Sequence, residues 1–174
     1  MRRYAFCLLL MFAQPVAAEA PGMPSAGASL AAPTGAVILE VEGNIANGNG
    51  GTGIARFDEA MLAALPSHTL ETSTVVTDGT QVFEGFLMRD LLALLGARGS
   101  VVAATALNDY SVEIPVSDFA RFDVIVATTR NGKRLEKSGK GPLWIVYPRD
   151  DHEELQDIRY DYRWVWQLYR LDIK

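Results

Sequence analysis

Cysteine is almost missing from this chain: Cys7 is the single one in 174 residues. Without a second cysteine there is no disulfide to build within one chain, and if Cys7 leaves with a leader, zinc–thiolate and iron–sulfur sites are excluded too. Histidine is nearly as scarce, with only His68 and His152. HExxH, Walker and Gly-x-Ser-x-Gly sequences are absent as well, which removes the local signatures of zincins, P-loop enzymes and α/β-hydrolases. Positive charge is short too. Sixteen Lys and Arg face 21 Asp and Glu, for a net charge of −5, and nucleic-acid binding needs the opposite balance. The longest apolar run, Tyr4 to Ala13, is ten residues, well short of the ~18–20 that span a bilayer.

What is present begins with a leader. Met1-Arg2-Arg3 is a positive n-region, Tyr4–Ala13 an apolar h-region, and Val16-Ala17-Ala18 a small-residue cleavage site. The three parts together read as a secretory signal peptide, 1–18, and place the protein in the periplasm or outside the cell. Cys7 would leave with it, since no lipoprotein signal follows. Arg2 and Arg3 would leave too, so 19–174 carries 14 basic and 21 acidic residues, a net charge of −7 and no thiol. Residues 19–35, rich in Ala, Pro, Gly and Ser, read as a flexible linker. One folded domain, 36–174, follows. A chain of this size buries roughly two-thirds of its unfolded surface, enough for a core.

Ala36–Glu42 reads as a strand and Gly43–Gly53 as a loop, eight of its eleven residues being Gly or Asn. Asp58 is placed to cap a short helix over Glu59–Leu65, with Phe57 and Leu62 as a hydrophobic staple. His68–Thr77 and Gln81–Glu84 read as strands. Phe86–Leu95 reads as a helix with Phe86, Leu87, Leu91, Leu94 and Leu95 on one face and Gly96 as its stop. Val101–Leu107 and Tyr110–Pro115 flank an Asn108-Asp109 turn. Ser117 is placed to cap a helical turn over Asp118–Phe122, and Asp123–Thr129 and Lys133–Glu136 flank Asn131-Gly132. Leu143–Tyr147 reads as a buried strand, Arg149–Asp161 as a solvated charged segment, and Leu171–Ile173 as a closing strand. About eight strands and two or three short helices, without βαβ alternation, make an α+β fold with compact mixed or antiparallel sheets.

Three stretches invite a chemical reading. Gly48–Gly53 matches GxGxxG, but a dinucleotide fingerprint needs its last glycine inside the opening helix, and here the helix waits for Asp58; a hairpin loop fits better. Asp150, Asp151, His152, Glu153 and Glu154 lack the spacing and internal Gly of a calcium loop and read as a solvated face, so no metal site is expected. The Lys137–Gly141 loop, by contrast, puts Lys140 and free backbone amides before a buried strand, a setting that suits an anion. Arg159–Arg170 interleaves three arginines with five aromatics, as a packed edge with cation–π contacts or a partner surface would.

Phe83–Leu92, Ala106–Pro115, Asn131-Gly132, Gly141–Pro148 and Arg163-Trp164 occur in an order and spacing that resemble the sulfite-oxidase-type molybdopterin-binding domain, over roughly Val37 to Ile173. The resemblance implies that compact α+β fold, molybdopterin as a possible cofactor, and a ligand face at Asn108, Asp109, Tyr110, Lys140, Gly141, Pro142, Trp144, Arg163 and Trp164. It also implies a metal-binding cysteine thiolate ahead of the segment resembling Phe83–Leu92. Here that region is His68–Thr77, with hydroxyls and no sulfur, and a neutral hydroxyl poorly replaces a soft thiolate. Trp144 stands where the family usually has an arginine, and Arg163 where it often has a lysine. The expectation is therefore a small exported stand-alone form with no catalytic residue and no cofactor, binding a small anionic ligand or a periplasmic or membrane protein. It would neither enter the membrane nor bind nucleic acid. The alternatives are a periplasmic molybdopterin-dependent oxidoreductase and an accessory module of a membrane sensor.

Overall fold

The computed structural model describes residues 30–174; the leader and the linker up to residue 29 lie outside them. Two five-stranded sheets share one apolar core that also takes in the longest helix. The first sheet has the order β2-β1-β10-β5-β6 and the second β3-β4-β7-β8, with β9 pairing β7 as well. β1 is Val37–Gly43, β2 Ile54–Asp58, β3 Ser67–Ser73, β4 Thr80–Leu87 and β5 Val101–Ala106. β6 is Ser111–Pro115, β7 Ile125–Arg130, β8 Lys133–Arg134, β9 Trp144–Val146 and β10 Leu168–Ile173. β1 and β10 run parallel and the other pairs antiparallel, which is the mixed α+β arrangement the sequence implies.

Local chemistry explains most boundaries. Asp58 caps α1 (Glu59–Ala63) by accepting from the Met61 amide at 2.9 Å, and Phe57 and Leu62 are both buried. The other Asp58 oxygen accepts from the Thr34 and Gly35 amides at 2.7 and 2.8 Å, so the cap also fastens residues 34 and 35 to the domain. Those amides draw the Asp58 carboxyl below its ordinary value, the Met61 amide most of all. Gly43–Gly53 is a hairpin loop closed by the Asn49 and Gly50 amides on the Ile54 carbonyl, and it leads into β2 rather than into a helix.

Several expectations need correction. The segment after the glycine loop, left without an element in the sequence, is strand β2. The main helix, α2, is Met88–Leu95; Phe86 and Leu87 end β4, and Leu92 rather than Leu94 turns fully inward. Gly96 does terminate it, in the left-handed region at φ 58°. Ser117 is not a cap, because α3 (Val116–Arg121) starts two residues earlier than expected, after Pro115, and Ser117 lies within it. The charged segment after Arg149 contains a 3-10 turn at Glu153–Gln156 and α4, Ile158–Asp161. β10, expected to close a sheet, is its central strand: Leu168, Leu171 and Ile173 are buried and the strand is paired on both sides.

Candidate functional site

Beside the end of β5 lies a groove of about 340 Å³ lined by Val75, Val76, Ala106, Asn108, Tyr110, Asp161, Tyr162, Trp164 and Trp166. Three distant chain segments build it. The first follows β3. Ser73 donates from its amide (2.6 Å) and hydroxyl to the Asp150 carboxylate, while the Thr74 and Thr77 hydroxyls bond each other at 2.8 Å and Thr74 Oγ1 accepts from the Val76 amide at 3.1 Å. These bonds satisfy the hydroxyls locally and leave Val75 and Val76 47% and 39% exposed.

The second segment is the β5–β6 turn. Asp109 takes φ 65°, its amide donates to Ala106 O, and Asn108 Oδ1 accepts from the Tyr110 amide at 3.2 Å. An Asx-type turn of this kind fixes where the next side chain points. Tyr110 then donates its hydroxyl to the Tyr162 carbonyl at 2.7 Å, tying the turn to the third segment, Asp161–Trp166. Burial raises the Tyr110 phenol above its ordinary value, with a smaller push from Tyr162, so it remains a donor at neutral pH. Asp161 Oδ1 and Trp164 Nε1 are buried with no hydrogen-bond partner among the described residues.

Of the nine residues singled out in the sequence, the structure brings Asn108, Tyr110 and Trp164 to this groove, with Asp109 in the turn behind it. The other five do other work. Trp144 is fully buried, edge-on to Phe83 (ring centroids 5.3 Å) and Trp166 (6.5 Å); it offers no open face. Gly141 is required by its own chain: a Cβ there would lie 2.2 Å from the Leu135 carbonyl. Pro142 follows it across a cis peptide bond and lines two other clefts. Lys140 lays its ammonium over the Trp166 ring at 4.0 Å and the Trp144 ring at 5.3 Å, and burial, then Arg130, hold it below its ordinary value. Arg163 is paired with Asp118. The two cations expected to draw an anion are thus committed elsewhere, and neither lines the groove.

Sequence reasoning missed Val75, Val76 and Asp161, and noticed Tyr162 and Trp166 only as part of the Arg159–Arg170 aromatic stretch; only the fold brings the segments at 75 and 161 together. It also missed Gln167. That residue, at φ 52°, donates its amide to the Lys140 carbonyl and its side chain to the Lys137 and Gly139 carbonyls at 2.9 Å. This side chain bonds two carbonyls of the glycine–lysine loop, whose Gly139 and Gly141 amides donate in turn to the Glu136 carbonyl.

The donor set bears directly on a molybdenum cofactor. The hydroxyls of Ser73 and Thr74 are engaged with protein partners, no cysteine lies among the described residues, and no Lys or Arg lines the groove to meet a pterin phosphate. Among the described residues no cluster of three His, Cys, Asp or Glu side chains is arranged to hold a metal ion. The groove does not fit the group.

Comparison with known proteins gives the family context. The family described as oxidoreductase molybdopterin binding domain matches residues 61–150. No curated protein matches the chain. Among solved structures, the sulfane dehydrogenase SoxCD from Paracoccus pantotrophus superposes with a TM-score of 0.58 at 19% identity, over 78% of this chain and 37% of that one. At that identity the likeness is one of fold, and this chain spans well under half the length of that relative.

Proposed function

The chain belongs to the oxidoreductase molybdopterin binding domain family, and from that premise we propose that it is an exported, non-catalytic form that keeps the fold as a binding module and has given up the molybdenum centre. Its occupant is a small ligand or a side chain of a periplasmic or membrane partner, taken into the groove between Tyr110, Tyr162 and Trp164. The observation that carries this reading is the segment after β3. The region where the resemblance calls for a thiolate, His68–Thr77, holds no sulfur; its Ser73 and Thr74 hydroxyls, beside the groove, are spent on Asp150 and Thr77 and are followed by two exposed valines. A high-valent metal gains little from a neutral, already bonded hydroxyl, whereas exposed valines and tyrosines around a concave, mostly apolar groove suit binding. The cation-poor lining also turns the expectation away from a small anion. Export rests on the tripartite leader, 1–18.

Elemental analysis and pterin release on protein purified from its native host test the reading. The expected result is molybdenum far below one per chain and no released pterin. Stoichiometric molybdenum would overturn it and favour the oxidoreductase.

A further inference from the structure

Resting on the non-redox assignment, we propose that the groove takes a small organic cation of the alkylammonium type. The clue is a contrast within the molecule. Phe122, Trp144, Trp166, Tyr160 and Tyr169 each carry an Arg or Lys cation over the ring, at 4.0 to 5.4 Å. Of the four groove aromatics, Trp166 is already covered by Lys140, while Tyr110, Tyr162 and Trp164 carry no cation among the described residues, although Tyr110 and Tyr162 are 42% and 59% exposed. Beside them stands Asp161, whose Oδ1 is the one carboxylate oxygen of the described residues that is buried without a hydrogen-bond partner. It also makes no ion pair among the described residues.

A buried acceptor left unpaired is costly, and a carboxylate among aromatic faces is attractive to positive charge in two ways. The rings offer their negative quadrupole faces, and the carboxylate offers a full charge in a partly desolvated setting. Val75, Val76 and Ala106 complete an apolar lining that suits N-methyl groups better than a strongly hydrated metal ion. An anion would meet the Asp161 charge with no Lys or Arg in the lining, and a neutral molecule would gain nothing from that charge. The volume, about 340 Å³, is that of a small-molecule site, so the occupant is a free solute.

Choline and its neutral carbon isostere, 3,3-dimethylbutanol, are the probes, titrated by calorimetry into the protein purified from its native host. Choline should bind at least about tenfold more tightly than the isostere, ~1.4 kcal/mol. Asp161→Asn should weaken choline about fivefold or more, and Tyr162→Ala, at an exposed ring, should weaken it without disturbing the near-UV circular dichroism. Equal affinity for the two probes, or no saturable heat up to about 50 mM choline, would overturn the proposal. Molybdenum is measured on the same sample. Metal there defeats the non-redox assignment and this inference together, whereas metal-free protein that does not prefer choline defeats this inference alone.

Discussion

Arg163 Nη1 donates to the same Asp118 oxygen, Oδ2, that accepts the Tyr147 hydroxyl at 3.0 Å. The pair joins the segment after α4 to α3, with the Asp118 side chain 10% and the Arg163 side chain 23% exposed. Burial first, and then the Asp118 carboxylate, push the Tyr147 phenol well up, so the hydroxyl stays a donor throughout the physiological range. An arginine that looks in sequence like a ligand contact is here part of a structural network. Arg163→Ala should therefore lower stability by about 2 kcal/mol, because a nearly buried carboxylate loses one of its two partners. Urea unfolding checks this, and a double-mutant cycle with Asp118→Asn should return a coupling of about 1–3 kcal/mol.

Trp144 makes a sharper case. A fully buried indole wedged between Phe83 and Trp166 contributes packing, with one ring face turned to the Lys140 ammonium. Trp144→Ala should cost about 3–5 kcal/mol and Trp144→Phe distinctly less, read from denaturant midpoints. A Trp144→Ala protein of unchanged midpoint would contradict the packing role.

Asp58 carries a pH dependence. Its carboxyl lies lower folded than unfolded, so the folded state binds fewer protons and stability rises with pH across the window between the two values. The contribution is complete above the unfolded value of about 4 and disappears as pH falls through the lower folded value. Melting curves of the wild type and Asp58→Ala should stand apart near pH 6 and draw together under strong acid. A gap independent of pH would contradict the carboxylate's role as the cap.

Gly141 is fixed by geometry within the chain. With Leu135 O where a Cβ would sit, Gly141→Ala must push the loop off Leu135 and should destabilise by more than about 2 kcal/mol. Retained stability in calorimetric melting would show that the backbone there yields.

Punctuation made much of this fold legible. Asp58 before an apolar pattern, Gly96 after one, Asn108-Asp109, and Asn131-Gly132, with φ of 52° and 69°, are residue types whose backbone or side-chain preferences act locally, and each stands where its chemistry predicts. Long-range pairing was less legible. Ile54–Asp58 is a five-residue strand after a glycine loop, too short to declare a period, and nothing local in Leu168–Ile173 says that it lies between β1 and β5. The groove failed to show for the same reason. Asn108, Tyr110 and Trp164 came to notice through the family resemblance, but Val75, Val76 and Asp161 belong to it only because Asp150 holds Ser73 and the Tyr110 hydroxyl reaches the Tyr162 carbonyl, contacts 77 and 52 residues apart.

Native mass spectrometry of the protein released from the periplasm of its own host tests the central claim most directly, since one spectrum reads export, cleavage and cofactor together. The account predicts the mass of the bare polypeptide beginning at or near Glu19. A species heavier by a molybdenum–pterin group would contradict it.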